Sequence, residues 1–204
     1  MNLYRGCGHG CIYCYAPKTL YLSREEFYNN PQPRKGILEA LTKDAPKYSG
    51  RQVLLCFICD PYQPIDEKFT LTREAIKILH ANNISVRILT KGGLRSMRDF
   101  DLLTHDDWYG ATLTFLYEKE CLQYEPEAAK PSERLIGLFK AHDRGIKTWV
   151  SLEPVIDPEQ SLALIKISNC IVDEYKIGKL NYAKTNIDWK KFIEEAKARL
   201  DFYG

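Results

Sequence analysis

The amino-acid sequence predicts an α/β chain folded as a partial (β/α)6 TIM-like barrel around a parallel sheet. Three observations lead there. Short apolar, β-rich runs alternate with amphipathic stretches along the chain, the pattern of repeated strand-helix units. The 204 residues, 45% hydrophobic and 27% charged, suffice for one domain with its own core, taken here as residues 1–204. Residues with reactive or ligating side chains recur where the strands end, and in such folds the loops at those ends converge on one face.

The first strand is expected to be short, within Asn2–Gly6, and to be followed by Val53–Cys59, Ser85–Thr90, Gly110–Phe115, Thr148–Glu153 and Val172–Gly178. Between them, Thr72 is placed to cap a helix carrying Ile76 and Leu79 inward, with Asn83 at its close. A weaker helix is expected near Leu94–Leu103. Ser132 is placed to cap the next, with Leu135, Leu138, Phe139 and His142 on its inner side and Gly145 ending it. Asp157 before Pro158 is a strong helix start, and Leu162 with Ile165 supplies the buried stripe. The last helix begins near Asp188 and turns Trp189, Phe192, Ile193, Ala196 and Leu200 inward. Tyr28–Lys35, with Asn29, Asn30, Pro31 and Pro33, reads as a loop over the site.

The bulk composition narrows the classes of function. No apolar run approaches the about 20 residues needed to cross a bilayer, and the opening residues lack the apolar stretch of a signal peptide, so a cytoplasmic, non-membrane protein is expected. A net charge of +2 gives nucleic acid no global attraction. Lys18, Arg24, Arg34, Lys35, Lys91, Arg95 and Arg98 would have to share a face to supply one; a solvated mixed surface is the alternative. Seven cysteines, three of them in one short stretch, suit a metal site in a reducing compartment better than a disulfide framework.

That stretch runs Arg5-Gly6-Cys7-Gly8-His9-Gly10-Cys11-Ile12-Tyr13-Cys14-Tyr15. Three thiolates on a four-iron cube leave one iron without a protein ligand, free to take a substrate or cofactor. The same cysteines with His9 also fit a Cys3His zinc knuckle, although such knuckles rarely precede a six-strand framework. Cys56 and Cys59 form a second Cys-x2-Cys, but strand alternation is expected to turn them apart, so that they share no metal. Cys121 and Cys170 read as small buried residues.

The Cys-x3-Cys-x2-Cys spacing of Cys7, Cys11 and Cys14, with the aromatic Tyr13 before the last thiol, resembles the signature of the radical S-adenosylmethionine (SAM) superfamily. The strand ends Cys59-Asp60-Pro61-Tyr62-Gln63-Pro64, Leu89-Thr90-Lys91 and Thr112-Leu113-Thr114 resemble the spore photoproduct lyase-like (DNA repair photolyase-like) group within it, which joins a DNA-repair enzyme to many relatives of unassigned substrate. The resemblance implies a 4Fe-4S cluster on the three cysteines, SAM chelated to the open iron, and a 5'-deoxyadenosyl radical that takes hydrogen from a substrate. It further implies that Asp60 and Cys59 face the methionine amino group, Lys91 its carboxylate and Thr114 the ribose or carboxylate. Tyr13 and Tyr15 then line the adenosine side. Glu153, at the end of the fifth strand, is placed for ribose or substrate, and Lys176, Lys179 and Asn181 for substrate. Cys59 is also placed for a redox or hydrogen-donor role; the group's donor cysteine itself aligns with Ile58, which leaves lyase activity open. A reductant such as flavodoxin or ferredoxin is implied, and the open barrel suggests a large substrate, a nucleic-acid base, or a partner protein as cover. A peptide or small-metabolite substrate, and a non-enzymatic iron-sulfur or zinc module, stay open.

Overall fold

Six residues, Ser85–Thr90, alternate half-exposed and buried side chains and form one of the seven strands among the described residues. In chain order these are β1 (Tyr4–Arg5), β2 (Gln32–Pro33), β3 (Gln52–Leu55), β4 (Ser85–Thr90), β5 (Trp108–Thr112), β6 (Lys147–Leu152) and β7 (Glu174–Ile177). The computed structural model describes residues 1–203. Strands β3 to β7 make one parallel sheet in sequence order, each joined to the next through helical crossovers. Their C-terminal ends are level: Leu55 pairs with Ile88, Thr90 with Ala111, Thr112 with Ser151 and Leu152 with Ile177. This is the expected partial parallel α/β barrel, and no described helix is long and apolar enough to cross a membrane.

The first strand departs from expectation. It is two residues long and pairs antiparallel with β2, outside the main sheet, which therefore holds five strands rather than six. The segment expected as a loop thus supplies the partner for β1. Strand β3 also stops at Leu55 rather than Cys59. The Asn2 side-chain oxygen accepts from the Phe57 and Ile58 amides at 2.7 and 2.9 Å, so a side chain replaces a neighbouring strand there.

Helix Leu71–Ala81 buries Ile76 and Leu79 as expected, and Asn83 follows it at φ 56°. Thr72 is no cap. It lies inside the helix, fully buried, with its hydroxyl donating to the Pro61 carbonyl at 2.5 Å. Likewise Pro131, not Ser132, opens helix Pro131–Asp143, and Lys130 is its cap residue. Its inner face carries Arg134, Gly137, Leu138 and Ala141, while Phe139 and His142 point to solvent. Asp157 caps helix Pro158–Ser168 by accepting from the Glu159 and Gln160 amides, at 2.9 and 3.2 Å. In helix Trp189–Tyr203, Phe192 and Ala196 are buried, but Ile193 is exposed. Near Leu94 the chain forms a 3-10 helix, Gly93–Asp99. Cys121 is buried as expected; Cys170 is exposed.

The main core is built from inward residues of β3 to β6 and the helices against them, among them Leu55, Ile76, Val86, Ile88, Leu138, Val150, Leu152 and Ile165. It fixes the level strand ends, and these open into a cavity of about 790 Å³.

Candidate functional site

Cys7, Cys11 and Cys14 lie in the loop between β1 and the helix Ala16–Thr19, and all three line one cavity of about 790 Å³. That volume is within the about 300–1,000 Å³ typical of small-molecule and cofactor sites. Strand ends supply the rest of its wall, including Cys59, Asp60, Lys91, Thr112, Ser151, Glu153 and Gly178. The convergence expected of a parallel barrel is therefore present.

The cysteine loop is tightly tied. Gly6, at φ 82°, has no room for a side chain, since a Cβ there would lie 2.6 Å from the Phe27 carbonyl oxygen. The Cys7 amide donates to that same carbonyl at 3.1 Å, and the Cys14 amide closes a turn on the Cys11 carbonyl at 3.1 Å. Tyr28 reaches over from helix Arg24–Asn29, its hydroxyl donating to the Cys11 carbonyl at 2.6 Å.

His9 is turned away from the role of fourth ligand. Its Nδ1 is 3.2 Å from the Glu127 carbonyl, and its Nε2 stands 3.2 Å from Asp60 Oδ2, a close contact rather than an aligned hydrogen bond. Among the described residues no three His, Cys, Asp or Glu side chains converge tightly enough for a single ion. Three thiols spread around one cavity suit a cube better than one zinc ion. Burial pushes the Cys7 and Cys11 thiols up, Cys11 to about 12, so both need a strong cationic partner to become thiolates.

Asp60 ties three segments together. Its carboxylate accepts from the Tyr62 amide (2.8 Å), the Thr90 hydroxyl (2.6 Å) and the Lys91 amide (2.7 Å). Burial opposes its ionisation, but His9, Thr90 and the Lys91 amide outweigh it and hold the carboxyl well below the usual range. Lys91 is only 15% exposed at its side chain. Burial there favours the neutral amine, yet the neighbouring Cys11 and Glu125 side chains outweigh it and raise the lysine's pKa.

Tyr13 and Tyr15 both line the cavity, with their hydroxyls fixed from behind. Tyr13 donates to Glu125 and lies 3.0 Å from Thr114 Oγ1; Tyr15 donates to the Phe57 carbonyl at 3.0 Å. Thr114 is fully buried and reaches the site through Tyr13, while Thr112 is the threonine on the cavity wall. Glu153 accepts from the Ser151 hydroxyl at 2.9 Å and crosses above Gly178, where a Cβ would lie 2.5 Å from its Oε1.

Cys56 and Cys59 correct the sequence expectation. Both lie past the end of β3, so strand alternation does not separate them, and both line the cavity. The Cys56 thiol lowers the pKa of Cys59 against the opposing effect of burial; burial first, and then Cys59, raises that of Cys56.

Sequence reasoning missed the pair behind Tyr13 and Lys91. Glu125 and Arg134 are 0% and 1% exposed and form a buried ion pair. Burial works against Glu125's charge, but Arg134 foremost and then Lys91 hold its pKa down to about 2. The available signal was Arg134 itself, a charged residue in helical register with Leu138 and Ala141. Trp149 was missed as well. Its indole forms part of the cavity wall, donates to the Ile88 carbonyl at 2.8 Å and carries the Arg87 guanidinium 4.3 Å from its ring centre.

The family comparison matches residues 1–166 to the radical SAM superfamily. The chain belongs to that superfamily. Among solved structures, spore photoproduct lyase complexed with dinucleoside spore photoproduct superposes with a TM-score of 0.72 at 17% identity, covering 98% of this chain and 71% of that one. A variant of the same lyase with bound AdoMet and dinucleoside spore photoproduct gives 0.73 at 16%, covering 98% and 60%. At such identity the likeness establishes the radical SAM fold. An uncharacterized protein of Methanocaldococcus jannaschii is 28% identical over 158 residues, 76% of this chain and 60% of that protein. Another, from the Acidianus two-tailed virus, is 28% identical over 174 residues, 78% and 56% respectively. The chain thus spans less than two thirds of the length of these relatives.

Proposed function

We propose that this radical SAM protein is an enzyme that holds a 4Fe-4S cluster on Cys7, Cys11 and Cys14 and binds SAM in the cavity beside it. The observation that carries this reading is the arrangement of three cysteines from one loop around a cavity whose wall also bears the largely buried Lys91. When bound and reduced, such a cluster with SAM supplies a 5'-deoxyadenosyl radical able to take hydrogen from a substrate. The protein's own residues bind, orient and shield. Lys91 meets the methionine carboxylate through a charge-assisted contact. Asp60 fixes the Lys91 backbone and faces the methionine ammonium. Tyr13, positioned by Thr114, and Tyr15 flank the adenosine, and Glu153 accepts from ribose hydroxyls. Cys59, the more acidic thiol of its pair, stands where a hydrogen donor could quench a substrate radical.

A nucleic-acid substrate is favoured by the rim. Phe57 and Tyr182 are 65% and 67% exposed there, Lys18 lies 4.0 Å from the Tyr182 ring centre, and Lys176, Lys179 and Asn181 join the wall. Exposed aromatics stack unpaired bases, and lysines follow phosphates. A flavodoxin- or ferredoxin-type reductant completes the reaction. The test is anaerobic reconstitution followed by addition of SAM and dithionite. Reductant-dependent 5'-deoxyadenosine is expected, with hydrogen isotope carried into it from the true substrate. Colourless protein with one zinc per chain would refute the enzyme, and absence of binding to any DNA or RNA at low salt would refute the substrate class.

A further inference from the structure

Residues 118–130 run as a strap across the back of the site. After helix Glu118–Tyr124, the Ile12 amide donates to the Tyr124 carbonyl (2.9 Å) and the Glu127 amide to the His9 carbonyl (3.2 Å), which ties the strap to the cysteine loop. The Ala129 amide donates to the Lys91 carbonyl at 3.0 Å, which ties it to the end of β4. Glu125 sits between these anchors, fully buried. Its Oε1 accepts from the Tyr13 hydroxyl and stands 3.9 Å from Lys91 Nζ. Its Oε2 accepts from Arg134 Nη2 and, at 3.4 Å, from the Cys121 thiol. Arg134 is itself held by the Ala129 and Thr112 carbonyls, at 2.8 and 2.9 Å.

Two cations, the buried Arg134 and the largely buried Lys91, therefore converge on one carboxylate. The other nearby acid, Asp60, is already engaged by Tyr62, Thr90, the Lys91 amide and His9. Buried charge is stable when it is paired, and of the two cations Arg134 is the one Glu125 pairs closely, which leaves Lys91 on the cavity wall. Arg134 makes the closer contact with Glu125, and the long Lys91 contact aims the ammonium without neutralising it.

We infer that Glu125, braced by Arg134, is a positioning residue: from behind the cavity wall it aims Lys91 and Tyr13 into the cavity. This rests on the SAM reading above and adds a residue that touches neither cofactor nor cluster.

The test compares equilibrium binding of SAM and its decarboxylated analogue to anaerobically reconstituted wild-type protein and to the double variant Glu125→Gln/Arg134→Met. The double variant keeps the local charge at that of Lys91 alone and replaces a buried ion pair by groups of similar size, a change that is often neutral for stability. Iron content and melting temperature are measured alongside. Wild-type protein is expected to prefer SAM, and in the variant that preference should shrink about tenfold, on the order of one charge-assisted contact. If the double variant fails to hold iron, Glu125→Asp keeps the Arg134 pair but draws the carboxylate away from Lys91, and the same loss of preference is expected. Equal weakening of both ligands marks a merely structural role and overturns the inference, as does an unchanged preference. Wild-type protein that binds neither ligand refutes the SAM reading itself and the inference with it.

Discussion

Replacing Gly110 by alanine tests whether the Trp149 indole is a fixed part of the cavity wall. Gly110 lies on β5 beside Trp149 of β6, and a Cβ built there would stand 2.2 Å from the indole nitrogen and 2.4 and 2.5 Å from two ring carbons. The ring has nowhere to retreat, because its nitrogen is bonded to the Ile88 carbonyl at 2.8 Å and Arg87 covers it at 4.3 Å. Overpacking of this kind costs about 1–3 kcal/mol, and losing the buried hydrogen bond adds about 0.5–1.5 kcal/mol. For a domain of this size, a total of about 2–4 kcal/mol lowers Tm by roughly 5–15 °C. Gly110→Ala protein should therefore melt early by circular dichroism and show altered tryptophan fluorescence, with the displaced indole intruding on the cavity and weakening SAM binding. A Tm within about 2 °C of wild type, with unchanged fluorescence, would refute the close packing on which this rests.

Cys11→Ala should bind much less iron after reconstitution, with melting of the metal-free chain little changed; iron content equal to wild type would contradict its role as a ligand. Lys91→Ala should bind SAM about tenfold or more weakly at normal iron content, read by equilibrium dialysis, and an unchanged affinity would remove Lys91 from the carboxylate. The acid limb of stability should depend on Glu125. Its folded pKa of about 2 lies below its ordinary 4.5, so its charge stabilises the fold fully above 4.5 and that contribution fades as pH falls toward 2. It amounts to on the order of 3 kcal/mol. Urea unfolding of metal-free protein at about pH 6 and about pH 3 should show wild type losing more stability than Glu125→Gln/Arg134→Met; equal losses would contradict the assignment.

The parallel barrel and the cysteine loop were legible in the sequence because both are local patterns. Strand β4 alternates and is followed directly by Lys91, and three thiols in eight residues need no tertiary context to be noticed. What escaped depends on contacts between distant segments. Strand β3 ends early because Asn2, more than fifty residues away, accepts from its amides, and that in turn brings Cys56 and Cys59 onto one cavity wall. Two residues are too few for β1 to carry any periodicity, so its pairing with β2 could not be read from pattern. Glu125 and Arg134 are nine positions apart across a helix boundary, and their pairing is visible only once helix Pro131–Asp143 turns Arg134 inward. Phe139 and His142 were expected on that inner face, and the misplacement follows from discounting a charged residue as a core position.

The account depends most directly on the three cysteines carrying a four-iron cluster whose open iron takes SAM. Electron paramagnetic resonance of anaerobically reconstituted, dithionite-reduced protein tests it. The predicted result is a four-iron signal that changes on addition of SAM and is lost when Cys7, Cys11 or Cys14 is replaced by alanine. Reduced protein with no four-iron signal, or with one that SAM leaves unaltered, would contradict it.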